Sequence, residues 1–304
     1  MKRLWKIIAT LCALFCVVFV AACNLPFDYG STESDKESSI EQTIFIDDSV
    51  KKPINDEPET EIEEPVNDEP ETESIDSIFA NNSWETIASV FKSGKAADYW
   101  HLGDTKEVEL GDGYTYEVQI VDMTPNRYAL SDGSGYSNGV LQFVDCLAES
   151  RQMNTTDTNV GGFEDSALRA ELNTTVFSQL PDDLQAVISE VSVVSVVSGI
   201  GDYTTSGIID SENKLFLASE YEMFGETTLS IGTEEGLPQY GYWALHNINS
   251  DRVKTQINST SATSWWLRSP HSGGSATFCA VGRGGYAGNH KASSLGGVCP
   301  CFAF

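Results

Sequence analysis

The sequence is poor in basic residues and in histidine. It has 18 lysines and arginines against 45 aspartates and glutamates, together with 4 histidines, so its formal net charge is -27. A protein that binds the phosphate backbone needs a basic surface that releases counterions. The composition therefore argues against nucleic acid as a partner, and equally against attachment to an anionic membrane by charge.

Motifs of several catalytic and metal-binding classes are also missing. The chain has no H-E-x-x-H, P-loop or EF-hand pattern. Its histidines, His101, His246, His271 and His290, are scattered along the sequence. We therefore expect a protein that is not an enzyme and that has no cofactor and no metal site.

Two glycine-containing runs match catalytic patterns only formally. Gly135–Gly139 satisfies G-x-S-x-G around Ser137, and residues 282–287 match part of a dinucleotide loop. A nucleophile elbow needs a strand before its serine and a helix after it, and a dinucleotide loop needs a following helix. Neither context is predicted here, so we interpret both runs as turns.

The first 23 residues have the order of a secretory signal. Basic residues precede the apolar block Ile7–Val20, and small residues then lead to Cys23. Counted up to Ala22, the apolar run spans about 16 residues, whereas a membrane helix needs roughly 20. A cysteine directly after small residues is typical of a bacterial lipobox, in which it is acylated, with palmitate for example. We predict that residues 1–22 are a signal peptide and that lipidated Cys23 holds the protein on the extracellular face of the cell membrane.

Residues 23–80 are predicted to form an acidic, disordered stalk. Asp, Glu, Ser, Thr and Pro dominate, and the segment Ile54–Glu61 returns with one change as Val66–Glu73. Such a composition cannot bury enough apolar surface to fold, and repulsion between like charges favours an extended chain. The alternative, an acidic tract that binds a basic partner, is weaker because charge runs are usually only solvated.

The rest of the chain, residues 81–304, can bury the core of one domain. The patterns predict helices after Asn82, over 166–172 and from Pro181, and a hairpin of 107–110 with 114–121. Further strands are predicted at 140–147, 191–197, 214–217, near Trp265, at 278–281 and at 298–304. Because strands and helices do not alternate in a βαβ rhythm, the predicted fold class is α+β.

Several blocks of this part resemble a bacterial family, the domain of unknown function numbered six-two-seven-three. They are YWHLGDT at 99–105, NTTVFSQLPDDLQAVI at 173–188, KLFLASEYEMFG at 214–225, WWLRSP at 265–270 and the closing GGVCPCFAF. The ending of this family is similar to C-type-lectin-like domains related to formylglycine-generating enzymes. The resemblance implies short strands, two or three helices, long irregular loops and a ligand-facing surface in the C-terminal half.

The chain departs from the usual ending of the family at two positions. Cys299 stands where arginine is common, and Cys301 stands where alanine is common. The chain also lacks the sugar-binding triplets Glu-Pro-Asn and Trp-Asn-Asp, which argues against calcium-dependent sugar binding of the lectin kind.

The WWLRSP block is predicted to be mainly structural. Trp265 and Trp266 alternate with the pleat of a strand, so at least one ring must face the core. Arg268 has five donors in a planar fork and is expected to tie loop carbonyls or a carboxylate together.

Polar and aromatic residues follow this block among glycines, a mixture that paratope-like loops use on a rigid frame. They are the predicted ligand-binding residues His271, Ser272, Arg283, Tyr286, Asn289, His290 and Lys291. An ordinary solvent-exposed loop is the alternative.

Four cysteines lie in the predicted domain: Cys146, Cys279, Cys299 and Cys301. In an exported protein, neighbouring strands could bring Cys279 to Cys299 or Cys301 as a disulfide, and free buried thiols are the alternative. The sequence thus predicts a membrane-anchored lipoprotein that displays a non-catalytic domain for an extracellular protein, peptide or glycan. The alternative interpretations are an enzyme with dispersed catalytic residues and a structural protein of the cell envelope.

Overall fold

A computed structural model describes residues 74–197, 208–231 and 238–304. The chain divides into two compact units, and the second, Asp68–Phe304, contains every described residue. The predictions of a signal peptide, a lipidated Cys23 and a disordered stalk up to residue 73 lie outside the described residues. In the part that is described, no helix is long and apolar enough to cross a membrane.

Mixed helices and short antiparallel strands confirm the predicted α+β class. The helices of the described ranges are α1 Trp84–Lys92, α2 Ala96–Tyr99, α3 Ala167–Glu171, α4 Asp182–Val187, α5 Glu220–Phe224 and α6 Gly241–Leu245. The strands are β1 Thr105–Glu109, β2 Thr115–Asp122, β3 Val140–Phe143, β4 Val191–Val196, β5 Ile208–Asn213, β6 Lys254–Thr255, β7 Ala262–Thr263, β8 Trp265–Pro270, β9 Thr277–Val281, β10 Ala287–Lys291 and β11 Cys301–Ala303.

Two sheets organise the domain. The first has the order β1-β2-β3-β11, and the second has the order β10-β9-β8. The predicted β1–β2 hairpin is confirmed, with Val108 opposite Tyr116 and both side chains buried. The C-terminal strand β11 pairs antiparallel with β3, Phe302 opposite Leu141, so the last residues of the chain complete the first sheet.

The folded part begins earlier than residue 81. Asn82 was predicted to cap the first helix, but the cap is Ser83, whose hydroxyl accepts a hydrogen bond from the Thr86 N–H at 3.1 Å. The buried Asn82 amide instead donates to the Asp76 carbonyl at 3.0 Å. This bond holds the preceding turn against the domain, and Phe79 in that turn is buried with its ring 5.2 Å from that of Trp100.

The secondary structure of two segments was predicted wrongly. Residues 214–217 were predicted as a strand, but the strand ends at Asn213, and beyond it the Asn173 side chain takes the hydrogen bonds that a neighbouring strand would make. Its amide oxygen accepts from the Lys214 N–H at 2.8 Å, and its amide nitrogen donates to the Leu215 carbonyl at 2.8 Å. The segment 287–291, predicted as a loop because of its glycine and polar residues, is strand β10, since the β9 backbone supplies its pairing.

Candidate functional site

Strand β8 is buried along its whole length, and both of its tryptophans are inside the protein. The Trp265 ring is 1% exposed and the Trp266 ring 0%. Each indole N–H has a carbonyl partner, Arg252 for Trp265 at 3.1 Å and Arg151 for Trp266 at 2.8 Å. Neither ring is therefore available as a binding surface, and both hold the second sheet in the core.

Arg268, near the end of the same strand, ties three segments together. Its guanidinium donates to the Val194 carbonyl on β4 at 2.9 Å and to the Leu217 carbonyl at 2.8 Å. It also makes two hydrogen bonds to the Glu222 carboxylate, one of them at 2.9 Å. Such a bidentate pair fixes geometry as well as charge, so β4, β8 and α5 are locked in one arrangement.

Glu222 is the centre of a larger buried cluster. Its carboxylate also accepts from the Tyr128 hydroxyl at 2.6 Å and from the Ser219 N–H at 2.8 Å, where it completes a capping box of α5. Arg127 lies 3.3 Å from Glu222 and 3.5 Å from the buried Asp122 carboxylate. We call Asp122, Arg127, Tyr128, Glu222, Tyr240 and Arg268 the buried ionic cluster.

The electrostatics of this cluster are those of a structural network. Burial would raise the pKa of Glu222, but Arg268 and then Arg127 lower it to about 2. Burial raises the pKa of Asp122 despite the nearby Arg127. Perturbed pKa values often mark active sites, but here every member is almost completely shielded from solvent. A substrate could not reach these groups without opening the core.

The G-x-S-x-G serine is also inaccessible. Ser137 is 0% exposed, and its hydroxyl accepts a hydrogen bond from the Tyr128 N–H at 3.2 Å. Its own N–H donates to the Tyr128 carbonyl at 2.8 Å. The run around Ser137 is therefore a pairing segment of the core and not a nucleophile elbow.

The seven predicted ligand-binding residues fall into three places. His271 and Ser272 lie in the β8–β9 turn, where internal bonds hold them. The His271 ring nitrogen Nδ1 is 3.0 Å from the Thr277 hydroxyl, and the Ser272 hydroxyl donates to the Leu229 carbonyl at 2.8 Å. Because His271 is bonded to Thr277 at the start of β9 and Ser272 to Leu229 in an earlier segment, these two residues contribute to the shape and position of the turn.

The β9–β10 turn places Arg283 and Tyr286 on the surface. Both side chains are exposed, and that of Tyr286 keeps 56% of its accessible area. Gly285 between them has φ +80°, and a Cβ atom there would stand 1.6 Å from the Asn249 carbonyl oxygen. Only glycine fits this approach, so the turn is seated firmly on the short 3-10 helix Asn249–Arg252.

Strand β10 is the edge strand of the second sheet and carries the other three predicted residues. Asn289 and Lys291 are exposed, and the Lys291 ammonium is 3.1 Å from the Asp157 carboxylate. His290 points to the opposite side and packs edge-on against Trp266, with ring centroids 5.8 Å apart. We call Arg283, Tyr286, Asn289 and Lys291 the β10 face; His290 is a half-buried packing residue beneath it.

Exposed apolar residues next to this turn were missed by the sequence analysis. Leu245 is 74% exposed and Ile248 65% exposed, and Val253 is also exposed. All three belong to the segment that flanks the 3-10 helix against which Gly285 packs. Their sequence context is glycine-rich and polar without helical or strand periodicity, and only the fold shows that Asn249, the residue after Ile248, packs against Gly285 of the turn.

Two hollows in the described surface lie elsewhere. One of about 440 Å³ is lined by Ala80, Thr105, Lys106, Glu107 and Glu117. The other, of about 160 Å³, is lined by Asp112, Tyr114, Leu147, Ala148, Glu149, Arg151 and Gln179. Neither contains a predicted ligand-binding residue. Within the described ranges, no group of three or more His, Cys, Asp or Glu side chains is arranged to hold a metal ion.

The cysteines of the domain are all buried. No disulfide joins Cys279 to Cys299 or Cys301 in this structure. Cys279 lies on β9 opposite Asn289, whereas the thiol that shifts the pKa of Cys299 is that of Cys146.

The fold and these surfaces define an α+β domain with a buried ionic cluster and an exposed hairpin edge. A family model described as "Domain of unknown function (DUF6273)" matches residues 137–304. The match covers more than half of the chain, so the chain belongs to this family. The β1–β2 hairpin and the two helices before it lie outside the match. No curated protein and no solved structure matches the chain.

Replacing Glu222 by glutamine should destabilise the domain strongly. Glu222→Gln removes the charge that compensates two buried arginines, and breaking a buried pair in this way costs about 3 to 5 kcal/mol. Urea unfolding measures the change. Glu149→Gln, at a side chain that is 82% exposed, is the matched control and should change stability by less than about 0.5 kcal/mol. Equal stabilities of the two variants would contradict the central role of Glu222.

The same carboxylate should make stability depend on acid pH. The pKa of Glu222 is about 2 in the folded protein against an ordinary value of 4.5. Below pH 4.5 the unfolded state binds a proton that the folded state does not, so this contribution is lost as pH falls toward 2. Unfolding curves between these two pH values should show a smaller pH dependence for Glu222→Gln than for the original chain.

A third prediction concerns the position of Arg283. The pKa of His290 is lowered from 6.5, first by burial and then by the charge of Arg283. Arg283→Ala should raise this pKa without restoring 6.5, because the burial remains. NMR titration of the His290 ring measures it, and Lys291→Ala is the control because its ammonium is paired with Asp157. An unchanged pKa in Arg283→Ala would show that the turn is not placed as described.

Proposed function

We propose that this chain is a lipid-anchored surface protein whose folded domain binds an extracellular macromolecule without catalysis. The observation that carries the proposal is the β10 face. It presents exposed aromatic, amide and basic side chains at the edge of a sheet whose other strands, β8 and β9, are buried. Arg and Tyr are the residue types on which interface energy is most often concentrated. The anchor, through Cys23, is proposed from the sequence alone.

Rigidity of the frame supports a binding role. β8 is buried on both sides, and β9 is buried from Phe278 to Val281. The turn that carries Arg283 and Tyr286 is fixed by the contact of Gly285 with Asn249. A binding residue on such a frame loses little conformational freedom when a partner arrives, which favours affinity. The C-type-lectin-like ending inferred from the sequence is consistent with display of ligands on this half of the domain.

The distribution of ionisable groups favours binding over catalysis. Apart from the Tyr116 phenol, the strongly perturbed carboxylates and phenols of the described residues belong to the buried ionic cluster. The β10 face has no pair of acid and base within it, and a shallow polar and aromatic surface is typical of an interface. Exposed Ile248, which precedes the Asn249 residue that contacts the turn, favours a protein or peptide partner over a glycan.

A combined variant tests the binding face. Arg283→Ala, Tyr286→Ala and Asn289→Ala together remove exposed side chains only, so the melting temperature should stay within about 2 °C of the original, whereas binding should fall at least tenfold. The full chain in detergent is applied to arrays of extracellular proteins, peptides and glycans, and hits are compared between the two chains. Tyr136→Ala, also at 56% exposure, is the control and should keep every hit.

Three results would count against this proposal. Hits that survive the combined variant would place binding elsewhere on the domain. Glycan hits without protein or peptide hits would keep a binding role but contradict the choice of partner. A variant that no longer folds would show that the β10 face is part of the core.

The anchor has its own test. Cys23→Ser removes the thiol that is proposed to be acylated, so the protein should move from the membrane pellet and detergent phase to the aqueous phase. Cys16→Ser, inside the apolar block, is the control and should partition as the original does. Unchanged detergent partitioning of Cys23→Ser would contradict lipidation.

A further inference from the structure

The cysteines Cys146 and Cys299 lie opposite each other at the closure of the first sheet. Beyond β3, the Leu147 N–H donates to the Val298 carbonyl at 2.8 Å. β3 and β11 run antiparallel, so the residue before Leu147 faces the residue after Val298. Opposite residues of an antiparallel pair have Cα atoms about 4.5 to 5.5 Å apart, which is within the range that a disulfide spans.

The two side chains are turned toward each other. Each thiol is a side-chain neighbour that shifts the pKa of the other, and the Cys299 sulfur is 2.7 Å from the Phe143 carbonyl oxygen. Backbone also crowds the site from the other side, because a Cβ atom on Gly297 would stand 2.8 Å from the Cys146 sulfur. The pair is therefore held in contact by the pairing of the final segment with β3.

A buried lysine lies beside the pair. The Lys254 ammonium donates to the Phe143 carbonyl at 2.9 Å and to the Val144 carbonyl at 2.6 Å. It shares the Phe143 oxygen with Cys299. Lys254 also lies 5.4 Å from the centre of the Trp265 ring, so its position is fixed by β8.

The other two cysteines of the domain have different surroundings. Cys279 lies on β9, in the second sheet. Cys301 lies opposite Gln142, and Glu222 and Arg268 of the buried ionic cluster are among its charged neighbours. The geometry thus singles out one pair of the four.

We propose that Cys146 and Cys299 are a cross-link site, and that their disulfide fastens the C-terminal strand β11 to the first sheet. The residues that the bond would secure include Phe302 and Phe304, which are buried against Trp84 and Phe91. Such a bond closes a very long loop, and the stabilising effect of a disulfide grows with the length of the loop that it closes.

In the docked segment the pKa values of the two thiols are shifted in opposite directions. Burial would raise the pKa of Cys299, but Cys146 and the charge of Lys254 bring it below the usual value. Burial raises the pKa of Cys146, and Cys299 raises it further.

The oxidant is a disulfide, either of a small thiol such as glutathione or of a protein oxidoreductase. The thiolate of one of the two cysteines attacks one sulfur of that disulfide, forms a mixed disulfide and releases one thiolate. The thiol of the other cysteine then loses its proton to the released thiolate and attacks the protein sulfur of the mixed disulfide, which expels the second thiolate. One disulfide is consumed, two reduced thiols are produced, and two protein thiols become one cystine.

Burial limits when this exchange occurs. Cys146 is 0% and Cys299 1% exposed, so a dissolved disulfide reaches them only before the final segment docks or while it is open. The bond therefore forms during folding. Only the source of oxidant outside the cell depends on the export proposed above; the juxtaposition of the two thiols does not.

Refolding in a redox buffer tests the proposal without any ligand. The full chain is unfolded in urea with reductant and refolded with reduced and oxidised glutathione, then remaining thiols are alkylated and the protein is digested. Mass spectrometry should find the peptide of Cys146 joined to the peptide of Cys299, with Cys279 and Cys301 alkylated. Fragmentation of the linked peptide shows whether Cys299 or Cys301 carries the cross-link in the original chain, so no variant is needed for this result.

Two variants add a stability measurement. The oxidised original chain should lose about 5 to 10 °C of melting temperature when reductant is added. Cys301→Ser should keep this response, and Cys299→Ser should lose it. Alkylation of all four cysteines after refolding, or Cys279 joined to Cys299 or Cys301, would overturn the proposal. Failure of the binding arrays would leave it intact.

Discussion

The bidentate pair of Arg268 and Glu222 is the interaction on which the arrangement of the domain depends. It joins β8 to α5, and through the Val194 carbonyl it reaches β4. An isolated charge in such a place would cost several kcal/mol of desolvation. The cost is offset because Glu222 also accepts from Tyr128 and Ser219 and lies beside Arg127, so nearly every lone pair has a donor.

The polar residues of the domain are of two kinds, those of the buried ionic cluster and those on the surface. The groups with strongly altered pKa values are inside, where they specify one packing of strands and helices. The groups that a partner could touch are outside, on the β10 face, supported by the tryptophans of β8. Strand β8 therefore serves both kinds of residue. Its Arg268 organises the core, while β9 and β10 of the same sheet present the surface.

The C-terminal segment depends on the same frame. β11 pairs with β3, Cys301 pairs with Phe216 across an isolated bridge, and Cys299 contacts the thiol of Cys146. The chain end is thus held by segments far away in sequence, which makes its docking a late, long-range event in folding. A covalent bond at this point would secure the part of the domain whose closure entropy is largest.

Local pattern alone determined the α+β class, the β1–β2 hairpin and the helix after Pro181, because each signal lies within a few residues. The tertiary structure decided what the polar residues do. Glu222 and Arg268 are 46 residues apart, and neither the buried ionic cluster nor the Cys146–Cys299 contact has a local signature. The edge strand β10 likewise became a strand because β9 supplied its hydrogen bonds. Burial and pairing are properties of the whole fold, so a pattern that is read along the chain cannot assign them.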